Sequence, residues 1–164
     1  MGYFLVFLII AIAIGIGVVV YKGNADRWSA EKAQGNIIER KTKFWDEETY
    51  FFTNTSYEEI KKQVLNNDFS SAKVTVIPDY EGYKAIFFNP NPRYFTSFLE
   101  YVGERNGKHF YKYYIYSYAD NKVGLVVGDM NIVQTKIEKI FLSLDTGTMT
   151  ETHAIQRHTK RSWF

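Results

Sequence analysis

The sequence predicts an α+β domain carried behind a transmembrane helix, and three observations predict it. Tyr3 to Tyr21 form a run of nineteen residues without a charge. Beyond that run the spacing of apolar residues switches repeatedly between a period of two and a period of 3.6, the marks of strand and helix. The whole chain is 46% apolar and 23% charged, a globular balance that excludes wholesale disorder. At 164 residues there is room for one ordinary domain and little else. The expected division is an anchor at 1–21, a basic juxtamembrane linker at 22–44, a globular domain at 45–147, and a basic tail or final strand at 148–164.

A helix needs about 20 apolar residues at 1.5 Å each to cross a hydrocarbon core of about 30 Å, which the first run supplies. A cleaved signal peptide is the rival reading, because Gly23-Asn24-Ala25 has the small-x-small form of a cleavage site and would leave Asp26 as the new N-terminus. No Lys or Arg precedes the apolar run, however, and the run exceeds an ordinary h-region. Basic residues cluster only on its C-terminal side, at Lys22, Arg27, Lys32, Arg40 and Lys41. The positive-inside rule then sets a single-pass protein in the cell membrane with its C-terminal domain in the cytoplasm. The alternative after cleavage is a secreted or extracytoplasmic domain. Tyr3, Tyr21 and Trp28 fit interfacial belts. Ala11 with Gly15, or Ala13 with Gly17, gives small-xxx-small spacing through which two helices could form a homodimer.

The domain elements follow in order. Ala25–Ala33 is rich in helix formers and Gly35-Asn36 interrupts it. Tyr50–Asn54 is a short β-prone run. Ser56 with Glu59 three positions on makes a capping box, and Tyr57, Ile60, Val64 and Leu65 share one face of the helix it opens, which Asn66-Asn67 ends. Residues 73–78 and 83–89 should pair as a hairpin across Asp79–Gly82. Asn89-Pro90-Asn91-Pro92 reads as a loop, since proline cannot donate to a ladder. Residues 94–102 and 108–119 form a second, longer hairpin across Gly103–Gly107. Val123–Val127 reads as a short edge strand. From Met130 to Leu144 the helical period returns, with Val133, Ile137, Ile140, Phe141 and Leu144 on one stripe, Lys136 beside it on the exposed side, and Asp129 available as the cap.

The order β-α-β-β-β-β-(β)-α describes a two-layer antiparallel sheet with two helices on one face. This order, over residues 50–144, is similar to the TATA-binding-protein-like and helix-grip folds. The likeness rests on element order alone, and such folds host many functions, so no function transfers with it.

Charge is unevenly placed. Residues 22–44 carry six basic and three acidic side chains, residues 45–152 eleven and fifteen, and residues 153–164 three and none. The acidic domain therefore has two basic ends, and basic residues near a bilayer are attracted to anionic lipid by about 1 kcal/mol each. Lys22, Arg27 and Lys32 at one end, and Arg157, Lys160, Arg161, Trp163 and Phe164 at the other, are candidate membrane-surface contacts. A final strand is the alternative for the tail, because residues 149–157 alternate weakly.

Catalytic chemistry finds no foothold in this sequence. Without cysteine there is no thiolate metal site and no cysteine nucleophile. His109, His153 and His158 lack metal-ligand spacing, Glu58-Glu59 is explained by capping, and Gly124-Leu125-Val126-Val127-Gly128 lacks the GK[ST] ending of a phosphate loop. Asn54-Thr55-Ser56 is a glycosylation sequon only in form for a cytoplasmic domain. No catalytic, cofactor-binding or metal-binding set is expected. The densest run, Lys108–Tyr116, interleaves basic and aromatic residues in the general manner of an RNA-binding strand. Its rings leave no small residue against which a base could lie flat, and the domain is acidic, so no nucleic acid partner is expected. Alternation instead places Phe110, Tyr114, Tyr116 and Tyr118 on one face and Tyr111, Tyr113 and Ile115 on the other. The first face, if uncovered, is a surface for a protein partner or an amphipathic ligand. The expected function is thus a membrane-anchored, non-catalytic binding module. A tethered enzyme with a dispersed site and an accessory subunit of a membrane complex are the alternatives.

Overall fold

The computed structural model describes residues 2–91 and 93–155. A long helix, α1 (Gly2–Ala33), leads into a domain made of β1 (Glu47–Thr53), α2 (Tyr57–Leu65), β2 (Val74–Ile77), β3 (Ala85–Pro90), β4 (Phe95–Arg105), β5 (Lys108–Tyr118), α3 (Val123–Leu144) and β6 (Met149–Ala154). The six strands form one antiparallel sheet in the order β2-β3-β4-β5-β1-β6. Both domain helices cover the same face, so the α+β class and the aromatic-rich sheet are as the sequence predicts.

Local chemistry explains the elements that were legible. At α2 the Ser56 hydroxyl accepts from the Glu59 amide while the Glu59 carboxylate accepts from the Ser56 amide, a complete capping box. The β4–β5 hairpin turns on Asn106-Gly107, both at positive φ (55° and 74°), the two-residue turn whose twist matches the strands. The strands continue past Gly103 because Val102 bulges out between the pairs Tyr101–Tyr111 and Gly103–Phe110.

The core lies between the sheet and α2 and α3. Phe51 stacks on Phe141 with ring centres 4.2 Å apart, Tyr111 meets Phe141 edge-on, and Ile60, Val64, Leu99, Tyr113, Ile115, Met130, Val133 and Ile137 complete it. Alternation in β5 thus buries Tyr111, Tyr113 and Ile115, as expected.

Several expectations are corrected. Val123–Val127 is not an edge strand but the start of α3. Its β-branched residues and flanking glycines suggest a strand, yet Val126 is buried and tertiary packing overrides propensity. Asp129 is consequently inside the helix and cannot cap it. Pro90 belongs to β3, opposite Val74; β4 pairs only with Ala85–Phe88, so the proline sits beyond that ladder and costs no bond there. Residues 149–154 realise the final-strand alternative, pairing with β1 at the edge of the sheet. Lys136 is buried, not exposed: its ammonium donates to the Asp68 carbonyl and lies 5.9 Å from the centre of the Phe69 ring.

Residues 24–44 are packed on the outer side of α3 and form a partial third layer. Trp28 Nε1 donates to Asp129 Oδ1 at 2.7 Å, and Arg27 Nη1 lies 2.8 Å from the same oxygen. The indole rests directly on Gly128, where an added Cβ would sit 2.3 Å from the ring. Burial pushes the Asp129 carboxyl up, against the hydrogen bonds from Trp28 and Arg27. The chain then crosses α3 as a strap. Ile38 exchanges two hydrogen bonds with the Asn131 amide, and Arg40 grips Glu138 with both guanidinium nitrogens at 3.0 and 2.9 Å while donating to Thr135. This is why Asn131 and Thr135 are buried although they lie off the apolar stripe, while Gln134 is buried against the sheet, where its amide donates to the Thr49 hydroxyl at 3.1 Å.

Among the described residues no helix is long and apolar enough to cross a membrane. The surroundings of the side chains of Ala11, Gly15 and Gly17 lie outside the described residues. Ala13 is exposed, as are Ile9, Ile12, Ile14, Ile16 and Val19.

Candidate functional site: the open sheet face

The face of the sheet away from α2 and α3 is assembled from alternate residues of the strands. Glu48, Tyr50 and Phe52 come from β1; Phe110, Lys112, Tyr114 and Tyr116 from β5; Phe98 and Glu100 from β4; Phe87 from β3. Because period two places every second side chain on this side, paired positions stand next to one another across strands.

A charged bar crosses the middle of this face. Lys112 Nζ lies 3.3 Å from Glu100 and 3.9 Å from Glu48, so one ammonium is shared by two carboxylates. Each carboxylate also accepts from a phenol, Tyr114 to Glu100 at 2.7 Å and Tyr50 to Glu48. The Glu48 hydrogen bond is the main reason the Tyr50 phenol is pushed up to about 12, and burial followed by the Glu100 bond raises Tyr114. Both phenols therefore remain donors across the physiological range.

Aromatic clusters flank the bar. On one side Phe110 stacks between Tyr50 and Phe52 at 5.3 and 4.7 Å; on the other Phe98 contacts Phe87, Tyr80, Tyr114 and Tyr116 at 4.8 to 5.9 Å. The first cluster forms the floor of an open cleft of about 850 Å³, whose walls include Tyr83, Val102, Lys84, Arg105, Glu151 and His153. Tyr83 and Val102 are exposed, so the cleft combines an apolar floor and wall with cations at its rim.

The sequence-predicted surface residues divide. Phe110 lines the cleft, Tyr114 supports the bar and Tyr116 lies against Phe98, all on the open face. Tyr118 does not join them. A bulge leaves Tyr116 between the pairs Ser97–Ile115 and Thr96–Ser117, and the extra residue turns Tyr118 to the helix side opposite buried Phe95. There its hydroxyl donates to Asp46 at 2.7 Å. Of the proposed membrane-surface residues, Lys22 and Lys32 are exposed, whereas Arg27 is engaged by Asp129 and the Ser71 carbonyl. Arg157, Lys160, Arg161, Trp163 and Phe164 lie outside the described residues, as does His158.

Sequence reasoning missed Glu48, Tyr50, Phe52, Glu100 and Lys112 as members of one site. Their alternation was visible in each strand, but their adjacency depends on β1 pairing with β5, about sixty residues away in the chain. Among the described residues no group of three or more His, Asp or Glu side chains is placed to hold a metal ion. No family model, curated protein or solved structure matches this chain.

Proposed function

We propose that the chain is a membrane-tethered binding module whose open sheet face takes an amphipathic ligand, apolar body on Phe52 and Phe110, anionic end at Lys84 and Arg105. The observation that carries this reading is the cleft itself: an apolar floor left uncovered by the chain's own helices, with cations at one rim. Lys112 is already neutralised by two carboxylates, and among the exposed charged residues lining the cleft Lys84 and Arg105 outnumber Glu151, which favours an anionic end on an incoming group. Dansyl-undecanoic acid is a suitable probe, offered to the full chain in nanodiscs against empty nanodiscs. Added fluorescence above the empty discs is expected, and Phe110→Glu should reduce that increment at least tenfold. Equal fluorescence from the two variants, or none above empty discs, would remove the cleft as a ligand site.

The tether in this proposal is the charge-free run at residues 3–21, which would cover about 28 Å as a helix. A helix apolar on every side is at home in lipid or in a protein core, and Ile9, Ile12, Ile14, Ile16 and Val19 are exposed in this chain. The basic residues after the run favour a cytoplasmic domain. Protease added to intact cells should then leave residues 45–164 undigested; digestion of that domain would reverse the orientation, and a mature N-terminus at Asp26 would replace the anchor by a cleaved signal.

A further inference from the structure

We propose that β6 is a dimerisation edge, pairing antiparallel with β6 of a second copy in a register centred on Thr152. All six residues of Met149–Ala154 are exposed, and they form an outer edge of the sheet with neither proline nor lysine, the usual blocks to edge pairing. The opposite edge is different: β2 has only four residues, bounded by Lys73 and Pro78.

The backbone phase of β6 follows from one bond. Ile155 N donates to Asp46 O at 2.8 Å, and the β1–β6 register continues that pair as Glu48–His153 and Tyr50–Glu151. In an antiparallel ladder hydrogen-bonded pairs alternate, so residues 149, 151, 153 and 155 point their N–H and C=O groups at β1. Thr150, Thr152 and Ala154 point theirs outward. Two copies can satisfy these groups mutually only in registers that pair even positions with even positions.

Side chains select among those registers. Centring on Thr152 pairs Thr150 with the partner's Ala154 and Thr152 with the partner's Thr152, giving three hydrogen-bonded pairs. It also sets Glu151 opposite the partner's His153, twice by symmetry. Centring on residue 151 would set glutamate against glutamate, and centring on 153 histidine against histidine, and either slip takes an outward pair beyond the strand end. Within one copy Glu151 and His153 are already 3.5 Å apart, and the His153 ring meets Tyr50 edge-on. The dimer would therefore align four alternating acceptor and imidazole groups along the seam. The two-fold axis of such a pairing is normal to the sheet, so both copies keep their helices on the same side. Because Glu151 and His153 line the cleft, the two clefts would meet across the seam.

The test uses the full chain in detergent, with mass measured by sedimentation. Wild type should be a dimer. Thr152→Pro should be a monomer with an unchanged circular dichroism spectrum, since its lost N–H faces away from β1. His153→Glu should raise the dimer Kd at least tenfold, and adding Glu151→His to it should restore pairing by exchanging the two partners. The chain has no cysteine, so Thr152→Cys offers a second readout. Opposed Cα atoms would be about 5.5 Å apart, within disulfide range, and mild oxidation should join the copies. Thr150→Cys, about 15 Å from its counterpart, should not cross-link. A monomeric wild type, a dimer that survives Thr152→Pro, or cross-linking at residue 150 but not 152 would each overturn the proposal.

Discussion

Ile137→Asp abolishes folding of the domain. Ile137 is fully buried in the core between α3 and the sheet, and a carboxylate there has no partner to offset its lost hydration. The expected loss is more than about 4 kcal/mol, a large share of the stability of a domain this size. The near-ultraviolet signal of the packed tyrosines should disappear and cooperative thermal unfolding with it. Leu142→Asp on the same helix is the control, because Leu142 is half exposed; its cost should stay within about 0.5 kcal/mol. Equal tolerance of the two would place the buried face of α3 elsewhere. Lys136→Asp is not a neutral control, since the Lys136 ammonium is held by the Asp68 carbonyl and by Ser71.

Gly128→Ala undocks α1 from α3. The new methyl would lie 2.3 Å from the Trp28 indole, a separation that real Cβ contacts do not show, and a rigid bicyclic ring at the helix surface cannot fold out of the way. The ring must leave, taking the Trp28 and Arg27 bonds from Asp129 and stranding a buried carboxylate. Breaking a buried pair costs about 3–5 kcal/mol, so the docked segment should open although the sheet stays folded. Hydrogen exchange reads this directly: the Ile38 amide, bonded to Asn131 in the strap, should lose its protection while amides of β4 and β5 keep theirs. A Trp28→Ala, Gly128→Ala double variant should be no worse than Trp28→Ala alone, because the clash has been removed. Retained protection at Ile38 in Gly128→Ala would show that the strap holds without the tryptophan.

What could be read from the chain depended on how local the cause was. Ser56 and Glu59 are three residues apart and cap α2 with no outside help, and the β2–β3 and β4–β5 hairpins join neighbours in sequence. β1 and β6 are placed by partners about a hundred residues apart, so only a weak alternation at 149–157 marked the last strand. The start of α3 was hidden because Val123, Val126 and Val127 favour strands when judged alone, whereas in the fold they are helical, with Val126 buried in the core and Val123 and Val127 half-buried. A single bulge at Tyr116 was enough to move Tyr118 to the other face, since one extra residue reverses every later side chain. At the candidate site the aromatic alternation of β5 was legible. The Glu48–Lys112–Glu100 bar was not, because it exists only across three strands.

The strap across α3 changes the mechanics of the proposed tether. A free linker over residues 34–44 would let the domain wander over about 18 Å, the reach of a flexible chain of that length. Arg40 on Glu138, Ile38 on Asn131 and Trp28 on Gly128 take up that slack. Any tilt or rotation of α1 is therefore transmitted to the sheet as to a lever fixed at its base, and the open face keeps one attitude towards whatever holds the helix.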